Sequence, residues 1–109
     1  MADIIMGDKR TAYKTINISD AKNIINAGYV VLLDIRDRDS YLQEHIPNAI
    51  HLTQENIEDF KKNTELDEVI IIYCYHGNNS LGAAEYFSNI GYQNIYSLNG
   101  GFSEYKKQQ

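Results

Sequence analysis

Residues 69–80 read VIIIYCYHGNNS, and this segment gives the clearest indication of the fold class. The run VIIIY is continuously apolar and rich in β-branched side chains, a pattern typical of a strand buried on both faces of a parallel sheet. The polar run YHGNN predicts a loop, and Ser80 is the expected N-cap of the helix that follows. The stretch therefore predicts a strand, a loop and a helix in succession, with Cys74 at the carboxyl end of the strand.

Strands and helices alternate along the rest of the chain as well. The other predicted elements are an extended piece between Ile16 and Ile18, a helix capped by Ser19 and ended by Gly28, a strand at 30–35, a helical turn at 40–43, a helix at 56–62, a helix from Ser80 to Gly91, a strand at 94–98 and a helical segment at 102–107. This order predicts an α/β fold with a mostly parallel central sheet and helices on both of its faces.

Composition limits the domain count and the classes of partner. The 109 residues suit one domain, which we place at residues 13–109 after a flexible tail at 1–12. A net charge of −5 without a cluster of Lys and Arg argues against nucleic acid as a partner. No apolar run suits a signal peptide or a membrane span, so we expect a cytoplasmic protein that does not bind a membrane.

Cys74 is the first candidate for chemistry. It is the sole cysteine, so the chain has no internal disulfide and no CxxC site. Ligands of open parallel sheets bind beyond the carboxyl ends of the strands, where Cys74 is expected. The loop N–H groups and the helix N-terminus would lower the pKa of the thiol toward neutrality. The alternative is a buried cysteine that only fills space.

Two separate stretches carry recognisable motifs. One is CYHGNNSLGAAEYFSNIGYQNIYSLNGGF at 74–102, and the other is LLDIRDRDSYLQEHIPNAIHLT at 32–53, with an Asp-x-Arg and a His-Ile-Pro. They resemble the single-domain rhodanese family, and most closely its bacterial thiosulfate sulfurtransferases, and the first stretch is similar to the active loop and C-terminal half of that family. The two signatures stand in the right order, and together they cover about residues 15–107.

The resemblance implies a sulfur-transfer activity. In that family the loop cysteine accepts sulfur from a small-molecule donor such as thiosulfate, and the loop amides hold the persulfide until a thiol or cyanide takes the sulfur. A thioredoxin-like protein is one such thiol acceptor. The resemblance implies no cofactor and no metal, and it assigns catalysis to Cys74 and substrate binding to the loop residues Tyr75, His76, Gly77, Asn78, Asn79 and Ser80.

Other polar residues are candidates for supporting roles. Asp34 and Arg36 follow the strand at 30–35 and are expected to pair with each other or with a loop carbonyl, which would brace the loop. His76 either donates a hydrogen bond to the donor's oxygens or is a solvated loop residue. His45 and His51 lack the spacing of a metal site, so structural roles are expected for them.

Departures from the family pattern keep other functions open. Relatives often have Lys or Arg in or just after the loop, where this chain has Leu81, so affinity for dianionic thiosulfate stays open. A carrier or protein-binding module that receives sulfur from another protein is therefore an alternative. A Cys-based phosphatase or arsenate reductase is a distant alternative, because it requires an Arg in the loop.

Glu44 and Tyr105 replace the Gly and Trp common in the family, which we interpret as structural changes.

Overall fold

The computed structural model describes residues 13–109, so the tail predicted at 1–12 lies outside the described residues. Within these residues, five strands alternate with five helices. They are β1 (Lys14–Ile16), α1 (Ile18–Ala27), β2 (Val31–Asp34), α2 (Arg38–Gln43), β3 (Ile50–His51), α3 (Ile57–Lys62), β4 (Val69–Tyr73), α4 (Asn79–Asn89), β5 (Asn94–Leu98) and α5 (Gly101–Lys107).

All five strands are parallel and lie in the order β1-β5-β4-β2-β3. The chain runs outward from β2 to the edge strand β3, returns to β4 beside β2, and then runs outward the other way to β5. The carboxyl ends of β2 and β4 therefore form the point where the connections diverge, and such a point leaves a crevice between the outgoing loops.

Helices cover both faces of the sheet, and the predicted fold class is confirmed. Alternation along β4 assigns the faces, because Ile71 and Tyr73 pack with Phe102 of α5 and with α1, whereas Ile70 and Ile72 pack with α3 and α4. Successive side chains of a strand point to opposite sides, so a continuous apolar run supplies both cores.

Several element ends differ from the prediction. Ile18 is the first residue of α1 and is not part of a strand, and the N-cap is Asn17 and not Ser19, since the Asn17 side chain accepts a hydrogen bond from the Asp20 N–H. Ser80 is not the cap of α4, because that helix begins at Asn79 after Asn78, whose side chain makes no capping bond. Asn17 and Ser19, or Asn78 and Ser80, are both suitable N-cap residues, and the sequence alone does not tell which of two neighbours caps the helix.

The strand β3 was not predicted. It is only two residues long, and Ile50 is exposed, so no periodic pattern marks it. It pairs with the end of β2 through Leu33 and Asp34. The longest helix, α4, has 11 residues, and no helix within residues 13–109 is long and apolar enough to cross a bilayer.

Candidate active site

Cys74 lies directly after β4, beside the residues that follow β2. The peptide N–H of Ile35 donates to the carbonyl of Tyr73, which joins the two strand ends immediately before Cys74. Cys74 is 4% exposed, whereas Tyr75 and His76, the next two residues, are exposed. The thiol is thus buried at the carboxyl end of β4, beside the point where the connections diverge, and the loop that follows it reaches solvent.

Polar groups surround the sulfur of Cys74 although the residue is buried. The backbone N–H groups of Gly77 and Ser80 donate to Sγ at 3.2 and 3.3 Å. The hydroxyl Oγ of Ser80 lies 3.5 Å from Sγ, within hydrogen-bond range for sulfur. Two peptide groups and one hydroxyl therefore converge on one atom, which is the geometry of a small anion-binding nest.

These contacts lower the pKa of the Cys74 thiol. Burial alone would raise it, since desolvation disfavours the charged form. The hydroxyl and peptide N–H of Ser80, together with the peptide groups of Gly77 and His76, outweigh that effect and bring the pKa below its ordinary value. A thiolate is the nucleophilic form of cysteine, so the site favours the reactive state.

Gly77 allows the loop to fold back over Cys74. Its φ of +96° lies in the region that favours glycine. A Cβ at this position would lie 2.9 Å from the Gly100 nitrogen and 3.3 Å from the Leu98 carbonyl oxygen. The loop is therefore packed closely against the turn that follows β5.

The start of α5 holds the first two loop carbonyls. The N–H of Phe102 donates to the Cys74 carbonyl and the N–H of Ser103 donates to the Tyr75 carbonyl, both at 2.9 Å. Gly101 has φ +59°, and a Cβ there would lie 2.5 Å from the Cys74 carbonyl oxygen. Sequence reasoning missed this support. The only signal for it was the Gly100-Gly101 pair after a strand.

Asp34 and Arg36 form a buried ion pair beside the loop. The guanidinium contacts both carboxylate oxygens of Asp34, at 2.8 to 3.2 Å, and also donates to the Glu44 carbonyl at 2.6 Å. The guanidinium carbon lies 4.1 Å from the ring centre of Phe102 and 5.5 Å from that of Tyr75. The pair thus links the end of β2 to α2, to α5 and to the loop.

The remaining loop side chains do not meet at the sulfur. Tyr75, His76, Asn78 and Asn79 are exposed, and the ring centres of Tyr75 and His76 are 5.3 Å apart. Of the predicted loop residues, Gly77 and Ser80 contact Sγ, and no side-chain hydrogen bond from the other four to Sγ occurs within the described residues. The loop contacts the sulfur mainly through its backbone.

A cavity of about 400 Å³ lies beside the loop, between α2 and α5. Its wall includes Arg36, Tyr75 and Phe102, together with Glu44 and Lys106. Lys106 Nζ is 2.6 Å from a Glu44 carboxylate oxygen, and both side chains are about half exposed. Glu44, which replaces a common family glycine, has an extended backbone with φ −166°, and no glycine is required there.

His45 and His51 have structural contacts. His45 Nδ1 lies 2.7 Å from the Tyr41 carbonyl oxygen, and His51 Nε2 lies 2.7 Å from the Arg36 carbonyl oxygen. Both imidazole rings stack on the Tyr41 ring, with ring centres 3.9 and 4.7 Å away. These histidines order the segment between β2 and β3.

Comparisons with known proteins found a matching family model and several similar solved structures. A family model for the rhodanese-like domain matches residues 17–108. A crystal structure of the BH2092 protein from Bacillus halodurans is 31% identical, covers 98% of this chain and 80% of that chain, and has a TM-score of 0.75. A rhodanese-related protein from Thermoplasma volcanium is 28% identical, with 88% and 93% of the two chains covered and a TM-score of 0.74.

A third similar structure is the human single-domain sulfurtransferase TSTD1. Its TM-score is 0.78, with 87% of this chain and 96% of that chain covered. The identity is 18%, so this likeness concerns the fold alone.

Proposed function

This chain belongs to the rhodanese-like domain family, and we propose from that premise that it transfers sulfane sulfur through a persulfide on Cys74. The observation that carries the proposal is the convergence of the Gly77 N–H, the Ser80 N–H and the Ser80 hydroxyl on Sγ. These groups support an anionic sulfur in a buried place, which an inert cysteine does not require.

In the first step the Cys74 thiolate attacks the outer sulfur of thiosulfate. A bond forms between Sγ and that sulfur, the sulfur–sulfur bond of the donor breaks, and its electron pair leaves with sulfite. Sulfite is weakly basic and needs no proton on departure, so no general acid is required. Because Cys74 is only 4% exposed, the site favours donors with a terminal sulfur.

In the second step an acceptor takes the outer sulfur. A thiolate or cyanide attacks that atom, the bond to Sγ breaks, and the electron pair returns to Sγ as a thiolate. A thioredoxin-like protein is the class of thiol acceptor that we propose. The N–H groups of Gly77 and Ser80 stabilise the charge as it forms, without reorganisation.

The proposed reaction needs no cofactor, because both steps are displacements at sulfur. It also requires that Cys74 stay reduced between turnovers. The cytoplasm keeps thiols reduced, so we propose that compartment for the protein.

Steady-state kinetics with thiosulfate and cyanide test the proposal. Covalent transfer predicts thiocyanate formation with parallel double-reciprocal lines, the pattern of a ping-pong mechanism. Cys74→Ser removes the activity, while Leu42→Ser, an exposed change in α2, keeps it. Equal turnover by wild type and Cys74→Ser would refute the proposal.

A carrier role is the second candidate, and the charge of the loop favours it. Residues 75–81 contain no Lys or Arg to attract a small dianion, and Tyr75 and His76 are exposed where a protein could contact them. Loading of Cys74 by a persulfide-bearing protein, with no saturable turnover of thiosulfate, would select this role over that of an autonomous enzyme.

A phosphatase is disfavoured by the same loop. Phosphate clamping uses a guanidinium in the loop, and the nearby Arg36 is already bound to Asp34 and to the Glu44 carbonyl. Cys74-dependent hydrolysis of an aryl phosphate would reverse this ranking.

A further inference from the structure

Ser97 of β5 is buried beside the active loop on the α4 face of the sheet. It is 1% exposed, and it lies two residues after Ile95, which packs against α4 on the same face. Its Oγ lies 2.7 Å from the Oγ of Ser80, which is itself fully buried. A polar side chain in a buried parallel strand needs a partner, and Ser80 is that partner within the described chain.

The three groups form a line from β5 to the nucleophile. Ser97 Oγ contacts Ser80 Oγ at 2.7 Å, and Ser80 Oγ contacts Cys74 Sγ at 3.5 Å. Each hydroxyl has one hydrogen to donate and can accept from a neighbour. The direction in which the Ser80 hydroxyl donates therefore depends on the direction in which the Ser97 hydroxyl donates.

We propose that Ser97 is a positioning residue whose hydroxyl sets the direction of the Ser80 hydroxyl and so helps to hold Cys74 as a thiolate. With a neutral thiol, Cys74 donates to Ser80, and Ser80 donates to Ser97. When the thiol proton leaves to water, both hydroxyls rotate: Ser97 donates to Ser80, and the Ser80 hydrogen points to Sγ. No other proton is transferred.

The catalytic role of Ser97 rests on the proposed function, and specifically on the second step of the proposed reaction. There Sγ is the leaving group, and a thiol with a lower pKa leaves faster. The Ser80 hydrogen, supported by Ser97, meets the charge that returns to Sγ. The linked hydroxyls therefore act on the thiolate both when it attacks and when it is released.

The test measures the thiolate directly, by the pH dependence of Cys74 alkylation with iodoacetamide. Hydrogen bonds to charged groups are stronger than neutral ones, so Ser80→Ala should slow alkylation at neutral pH about tenfold and Ser97→Ala about threefold, each with a raised pKa. Ser97→Thr restores the hydroxyl and should restore the wild-type profile. The readout needs no sulfur donor, so its result is separate from that of the proposed function.

Two comparisons distinguish this role from packing alone. Ser97→Thr and Ser97→Val have nearly the same shape, so a difference between them reports the hydroxyl, even if Ser97→Ala does not fold. In a Ser80→Ala background, Ser97→Ala should have no further effect, because the intermediate hydroxyl is gone. The titratable groups on the loop and the adjoining elements, which include Tyr75, His76, Tyr73, Glu85, Tyr86, Tyr96 and the Asp34–Arg36 pair, are the same in every variant.

Identical alkylation profiles for Ser97→Thr and Ser97→Val would overturn the proposal. An undiminished effect of Ser97→Ala in the Ser80→Ala background would also overturn it, since the effect would then not pass through Ser80.

Discussion

The peptide N–H of Phe102 donates a hydrogen bond to the carbonyl of Cys74, 2.9 Å away. This bond ties the first turn of α5 to the residue that bears the nucleophile, 28 positions earlier in the chain. The loop is therefore held from two sides, by α5 at its carbonyls and by its own N–H groups at the sulfur.

Gly101→Ala should destabilise the fold by about 2 kcal/mol and slow sulfur transfer, because φ is +59° and the new Cβ would lie 2.5 Å from the Cys74 carbonyl oxygen. Urea unfolding and thiocyanate formation measure the two effects. Gly82→Ala is the matched control. It lies in α4, where the added Cβ would meet no atom of another element within 4 Å, so it should raise the free energy of unfolding by up to about 1 kcal/mol. Equal stabilities of the two variants would contradict the close approach.

Asp34→Asn should cost about 3 kcal/mol of unfolding free energy, since it leaves the buried Arg36 guanidinium without its counterion. Glu44→Gln breaks the half-exposed pair with Lys106 and should cost less than about 1 kcal/mol. Thermal unfolding compares them. A larger loss of stability for Glu44→Gln than for Asp34→Asn would show that the buried ion pair contributes less to stability than the half-exposed one.

Ionisation of Cys74 should make stability depend on pH. The pKa of the thiol is lower in the folded protein than in the unfolded chain, so the thiolate stabilises the fold. That contribution is complete above the unfolded pKa of about 8.5 and is lost as the pH falls through the folded pKa. The stability of wild type minus that of Cys74→Ser, from urea unfolding in reductant, should therefore rise with pH in this window. A constant or falling difference would be inconsistent with a lowered pKa.

Leu81→Lys should improve the use of thiosulfate. It places a cation just after the loop, and a close pair of opposite charges in water is worth about 1 kcal/mol, or roughly fivefold in KM. The gain should shrink as salt is added. Leu81→Gln, which adds polarity without charge, is the control. If Lys and Gln give the same KM, a missing cation does not limit donor binding.

The sequence alone predicts the features of the fold that come from local patterns. VIIIY is apolar throughout and so supplies side chains to both cores; it predicted the central strand β4, and the alternation of strands and helices predicted the parallel sheet. The position of Cys74 at the end of that strand follows from the same pattern. The two-residue strand β3 has no pattern to detect, because it is defined by pairing with Leu33 and Asp34.

The missed features of the site arise from contacts between distant parts of the chain. Ser80 was predicted as a helix cap from its local sequence, but its hydroxyl lies between Cys74 and Ser97. Gly101 is needed because α5 approaches the loop backbone, and that approach depends on the neighbouring positions of β4 and β5. Such requirements become visible only after the strands are ordered in space.

Acceptance of a sulfane sulfur by Cys74 is tested most simply by the mass of the Cys74 peptide after incubation with thiosulfate. We expect a gain of one sulfur atom on this peptide, which is reversed by cyanide and absent in Cys74→Ser. An unmodified Cys74 after treatment with thiosulfate and several other sulfur donors, in protein whose thiol still reacts with iodoacetamide, would contradict this expectation.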